Sequence, residues 1–323
     1  MRSQSLPTLY LFLSVAFLFV TSAKLQAQQP DLSGGESTGL PASSHAATGP
    51  VPVSRTSPAN DHVESAVAAA QPATTIQLHF VVEALTDLLD HNRVAKNRQA
   101  EAETLCALAT AYSELRQQQK AVQTFQSALA IWRELDNRER EASTLAHIGD
   151  TYREWGFPEQ SIHFYRDALK LYPPTGQKEE QAAVVNNLGL AYFALRDTKK
   201  CLEYLNQALA SYRALHDRQG EASTLTNIAS AYGFLMNDPH KAIDYFQGAV
   251  TELELLDNRA SEANALELMG IAWLKLEKQG TAVQTFQRAL FLYSRIGDAQ
   301  GKASVLKYLK NAGGDTVASA SVH

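Results

Sequence analysis

Apolar and polar residues follow a helical period over most of this chain, and from residue 97 onward the pattern itself recurs. Written in rows of 40, the sequence brings Asn97, Asn137, Gln177, Asp217 and, after one inserted residue, Asn258 into one column. Each row holds a helix-period stretch ending in an aromatic, at Tyr112, Tyr152, Tyr192, Tyr232 and Trp273. Three and four residues before it stand a small and a large apolar residue: Leu108-Ala109, Ile148-Gly149, Leu188-Gly189, Ile228-Ala229 and Met269-Gly270. Nine or ten residues after the aromatic comes a small residue (Ala121, Ser161, Cys201, Ala242, Ala282), and seven further on an alanine (Ala128, Ala168, Ala208, Ala249, Ala289). Small side chains at fixed places let helices approach closely. A unit repeated at a fixed period buries its apolar face against its neighbours, so the columns predict an all-α tandem array of closely packed helices over residues 97–297.

Stacked repeats need terminal elements to cover the last apolar surfaces. The segment from Ile76 to His91 has the pattern of the second helix of a degenerate repeat, and predicts a capping helix over residues 76–96. Asp298 to Ala312 repeats the opening of a row and breaks at Gly313-Gly314, predicting a C-terminal capping helix over 298–312 and a polar tail over 313–323.

The start of the chain reads differently. Arg2 precedes an apolar run from Leu9 to Val20, followed by Ala23 and Ala27 in contexts a signal peptidase accepts, so residues 1–27 read as a cleavable secretory signal. The run is about a dozen residues, short of the roughly 20 that cross a bilayer as a helix. The reading is therefore a secreted or periplasmic protein with no membrane span after cleavage, the alternative being an anchor formed by an uncleaved segment. Residues 28–75 are rich in Ala, Ser, Pro, Gly and Thr and read as a disordered tether. The Gly34-Gly35 run within it lacks the Gly-Lys-Ser/Thr ending of a phosphate loop.

The column pattern resembles the tetratricopeptide repeat, with its Leu-Gly, Tyr, Ala and Phe signature. The Phe column holds Phe125, Tyr165, Phe246 and Phe286, with Leu205 in the third row. The early Trp of the motif is replaced by Leu105, Leu145, Val185, Leu225 and Leu266. The period of 40 resembles the long-repeat arrays of kinesin light chains, spindle-orientation adaptors and, in phrases such as Asp217-Arg218-Gln219-Gly220-Glu221-Ala222, secreted bacterial proteins that join such repeats to a caspase-like peptidase domain. The resemblance implies a right-handed superhelical solenoid of antiparallel helix pairs whose first helices line a concave groove. The groove columns hold His147, Asp150 and Arg153, then Asn186, Asn187 and Phe193, then Asn227, with Phe234 nearby. Asn side chains offer donors and acceptors that can hydrogen-bond the main chain of an extended peptide, while aromatics take its side chains. These eight residues are the candidate partner-binding set. Chaperone-binding members of the family clamp a carboxylate with cations at these columns; here the matching positions hold only Arg153.

Composition narrows the function further. The 323 residues are 45% hydrophobic and 20% charged, with a net charge of -5. Removing residues 1–27 takes away Arg2 and Lys24 and no acid, giving -7 for the remainder. An acidic chain without a basic stripe excludes nucleic acid as the expected partner. Two cysteines, Cys106 and Cys201, sit two rows apart, too far for a disulfide. Cys201 takes the small-residue column of the core, and Cys106 lies nearer the groove. His147, Asp150 and Glu154 fall at helical spacing on one face as partial metal ligands, but no metal-binding, nucleophile or paired-carboxylate motif is present, so neither a metal, a cofactor nor catalysis is expected. The expected function is an exported non-enzymatic scaffold for a protein or peptide ligand, the alternative being a regulatory or adaptor subunit of a catalytic assembly such as a peptidase supplied on another chain. The columns specify no oligomeric state.

Overall fold

The computed structural model describes residues 71–172 and 178–312, with side chains from Gln77 onward. The signal segment, nearly all of the tether and the tail lie outside these residues. The chain divides into Met1–Gln77 and Leu78–His323, and the array belongs to the second part. The described residues form twelve α-helices and one π turn. They are α1 (Gln71–Val94), α2 (Arg98–Glu114), α3 (Gln118–Glu134), α4 (Arg138–Glu154), α5 (Pro158–Leu171), α6 (Lys178–Ala194), α7 (Thr198–Leu215), α8 (Arg218–Ser230), α9 (Pro239–Leu255), α10 (Arg259–Lys275), α11 (Gln279–Ile296) and α12 (Ala299–Asn311). None of the described helices is long and apolar enough to cross a membrane. Helix α1 begins five residues inside the segment read as tether. Pro72 lies in its first turn, where a missing N–H costs nothing and φ is preset for a helix.

In rows one, two, four and five the opening column is the N-cap of the first helix, while Gln177 of row three lies outside the described residues. Asn97, Asn137, Asp217, Asn258 and Asp298 accept hydrogen bonds from N–H groups two or three residues ahead, each cap contributing about 1 kcal/mol. The residue before each cap, at Lys96, Asp136, His216, Asp257 and Gly297, is left-handed, with φ between 50° and 75°. So is the residue two places past the end of each first helix or its π turn, at Arg116, Gly156, Arg196, Asn237 and Glu277, with φ between 52° and 80°. The next N–H then reaches back five residues, as from Phe157 to the Tyr152 carbonyl at 2.9 Å. This is a Schellman closure, and it reverses the chain within three residues.

Inside each pair, the small column of the first helix lies under the aromatic column of the second. A Cβ on Gly149 would fall 2.6 Å from Tyr165, one on Gly189 2.8 Å from Leu205, and one on Gly270 2.6 Å from Phe286. The alanine columns Ala128, Ala168, Ala208, Ala249 and Ala289 are fully buried. Between layers, second helices pack on the next first helix, and consecutive first helices also touch each other directly. The first helices therefore form the inner face of the stack. Helix α1 closes one end by placing Leu89 against Ala102, Leu105 and Leu108, and α12 closes the other through Val305 and Leu309.

Row four carries one residue more than the others. The extra residue is absorbed at the end of its first helix, where Ala231–Leu235 form a π turn. Lys275 of α10 donates to the Gly233 carbonyl at 2.6 Å, and its ammonium sits 5.2 Å over the Phe234 ring. The next repeat thus supplies a donor at the irregularity. Ion pairs recur at the layer edges, eight residues apart: Arg93–Glu101 at 3.2 Å, Arg133–Glu141 at 2.6 Å and Arg213–Glu221 at 2.7 Å.

Candidate functional site: the inner face

Three consecutive first helices, α4, α6 and α8, carry one continuous chain of side-chain hydrogen bonds across the inner face. Asp150 of α4 accepts from the Asn187 amide of α6 at 2.8 Å. Asn187 accepts from Asn186 at 3.2 Å. The Asn186 oxygen accepts twice from α8, from Asn227 at 3.1 Å and from the Thr224 hydroxyl at 3.2 Å. Neighbouring layers are locked together by polar contacts between residues 37 to 41 positions apart.

The three asparagines do not serve alike. Asn186 is 9% exposed, with both oxygen lone pairs and one N–H engaged inside the protein. It serves as a staple between repeats. The face of α6 that carries Asn186 turns toward α8, because layer packing brings Thr224 beneath it. Asn187 and Asn227 are half-buried; among the described residues each keeps one N–H without a partner, and Asn187 keeps one oxygen lone pair and Asn227 both.

The remaining candidates fall around this chain. Asp150 also accepts from the Tyr165 hydroxyl at 2.7 Å, and Arg153 donates to that hydroxyl at 3.3 Å. Tyr165 stands in the Phe column, was not among the candidate site residues, and differs from Phe125, Phe246 and Phe286 by the hydroxyl that makes these contacts. Burial and the Asp150 carboxylate hold that phenol far above its ordinary pKa. His147 is exposed, stacks on Phe125 with ring centres 6.5 Å apart, and places Nδ1 3.9 Å from Asp150. Glu154 lies 3.8 Å from Arg153, and burial, with Asp150 adding, pushes its carboxyl up. The described residues contain no group of three His, Cys, Asp or Glu arranged to hold a metal ion. Phe193 packs half-buried against the core. Phe234 is 43% exposed, but the π turn sets it beside Lys275 of the following repeat and outside the asparagine chain.

Chemistry changes along the inner face. Rows one and two present Glu103, Thr110, His147 and Asp150, rows three and four the amides, and row five half-buried Leu268, Ile271 and Leu274. Within row five Glu267 accepts from Tyr293 at 3.0 Å and from Ser304 of the cap.

A stack of capped helix pairs with small-to-aromatic packing and an inner face of first helices defines a helical-repeat scaffold. The tetratricopeptide repeat family model matches residues 100–173 and 180–251, so the repeats it covers are tetratricopeptide repeats. No curated protein matches the chain. Among solved structures it is similar to BtubC (BKLC) from P. vanneervenii, at 20% identity over 72% of this chain and 92% of that one, with a TM-score of 0.57. It is similar to aspartyl phosphate phosphatase F from Bacillus subtilis at 18% identity, over 79% and 66% of the two chains, with a TM-score of 0.61. A Rap protein complexed with competence and sporulation factor matches at 13% identity over 79% and 80%, with a TM-score of 0.56. These likenesses carry the fold, which as a class presents surfaces for protein–protein contact.

Proposed function

We propose that this chain is an exported, non-enzymatic scaffold that holds an extended peptide or protein segment along the inner face of its array. The observation that carries this reading is the pair Asn187 and Asn227 on consecutive inner helices, each offering one donor and one acceptor. Packed helices lie about 8–10 Å apart. Three residues of extended chain cover about 10 Å. Asn187 and Asn227 are thus spaced to address main-chain amides three residues apart. Main-chain contacts supply affinity, and the apolar Leu268, Ile271 and Leu274 of row five take side chains on one side of the pair. That the Rap protein is a complex with competence and sporulation factor supports a ligand-binding role for an array of this architecture. Export rests on the apolar run from Leu9 to Val20 and the small residues after it.

The test is affinity capture from the secreted or envelope fraction with the unaltered protein beside Asn187→Ala/Asn227→Ala, leaving the structural Asn186 in place. A partner retained by the first and lost by the second is expected. Equal retention by a folded double variant refutes the inner-face reading. A mature protein that still contains residues 1–27 by intact mass refutes cleavage.

A further inference from the structure

The layer formed by α7, α8 and α9 differs from the next one, α9, α10 and α11, at one telling position. Before the alanine column, α11 carries Arg288 and α9 carries Gly248. In the later layer the Arg288 guanidinium bridges Glu254 and Glu262, donating to Glu262 at 2.6 Å. In the earlier layer Arg213 stands where Glu254 does, and pairs with Glu221, the counterpart of Glu262. No side chain extends from Gly248, and a cleft of about 390 Å³ opens there. Leu225, Tyr245 and Gly248 line it together with Arg213, Glu221, Asp244 and Glu252.

Neither backbone nor crowding requires a glycine at 248. Its φ is not positive, and a Cβ would meet only Leu225, at 3.6 Å. A glycine within a helix costs about 1 kcal/mol relative to alanine, so what this one supplies is open space. The charges around that space do not balance. Arg213 pairs with Glu221 and Arg218 with Glu252 at 3.1 Å, while Asp244 is exposed and makes no hydrogen bond or ion pair among the described residues. No other row places acids at both matching positions, which hold Gln123 and Ile131, His163 and Leu171, Glu203 and Ser211, and Gln284 and Leu292.

We propose that this cleft docks an arginine side chain of a partner protein. A guanidinium presents donors on two edges, so it can reach Asp244 on one and Glu221 or Glu252 on the other, while its methylenes lie on Leu225 and Tyr245. One layer on, at the counterpart of Gly248, Arg288 shows a guanidinium bridging two carboxylates, there between the counterparts of Arg213 and Glu221. A lysine ammonium lacks the fork that spans two carboxylates. The site is separate from the asparagine chain of the inner face and stands or falls independently of it.

The experiment titrates the full chain with two blocked pentapeptides, one with a central arginine and the other with neutral, near-isosteric citrulline there, reading amide NMR shifts from Asp244 to Glu252. A saturable shift with the arginine peptide, at least fivefold weaker with citrulline and several-fold weaker in Asp244→Asn, is the expected result. Gly248→Arg fills the cleft from within, and is expected to stay folded and abolish the shift. Equal response to both peptides overturns the proposal, as does unaltered binding in folded Gly248→Arg. Binding lost in Asn187→Ala/Asn227→Ala but kept in Gly248→Arg also overturns it, and assigns the peptide to the inner face.

Discussion

Two glycine-to-alanine substitutions in the same array are expected to change stability in opposite directions. Each gains about 1 kcal/mol from helix propensity. At Gly149 the new Cβ falls 2.6 Å from Tyr165 Cε1 and 2.7 Å from Cδ1. That ring is fully buried, and its hydroxyl is tied to Asp150 and Arg153, so it cannot swing aside without breaking the hydrogen bonds that lead to Asn187. Overpacking of this kind costs about 1–3 kcal/mol, leaving Gly149→Ala destabilised by up to about 2 kcal/mol. At Gly248 the only contact is Leu225 at 3.6 Å, an ordinary van der Waals distance, so Gly248→Ala is stabilised by about 0.5–1 kcal/mol. Urea titration followed by far-UV circular dichroism reads both as shifts of the midpoint. Midpoints that move in the same direction would refute the claim that the aromatic column, rather than the helix itself, dictates where glycine is needed.

Other outcomes follow from the same geometry. Asn186→Ala strands the fully buried Thr224 hydroxyl and the Asn227 amide, and is expected to cost about 3 kcal/mol, against about 1 kcal/mol for Asn227→Ala; the reverse order in urea would remove Asn186 from its role as staple. Burial pushes the Cys201 thiol up to about 12 and raises Cys106 as well, so neither should react quickly with Ellman's reagent at pH 8 in the native protein, while both react at once in denaturant. Because the folded-state value lies above the unfolded one of about 8.5, the unfolded chain releases these protons first, and stability falls as pH climbs from there toward 12. Fast labelling of native Cys201 would refute its placement in the core.

Much of the array was legible in the sequence because each of its decisions is local or periodic. A helix repeats its faces every 3.6 residues, so a column such as Ala128, Ala168, Ala208, Ala249 and Ala289 states which face is buried without reference to any partner. The opening column of Asn and Asp is a chemical requirement of a helix N-terminus and appears in the structure as the caps. The inserted residue of row four was visible as a shift of register, but its absorption as a π turn depended on Lys275 arriving from the next repeat to meet the Gly233 carbonyl. The site was legible only as a set of columns. Whether Asn186 faces a ligand or Thr224, whether the Tyr165 hydroxyl reaches Asp150, and whether Gly248 opens onto space or onto a neighbour were decided by how far each layer rotates and slides on the one before. That stagger comes from the summed packing of whole helices, and it brings together side chains nearly 40 residues apart that no local pattern relates.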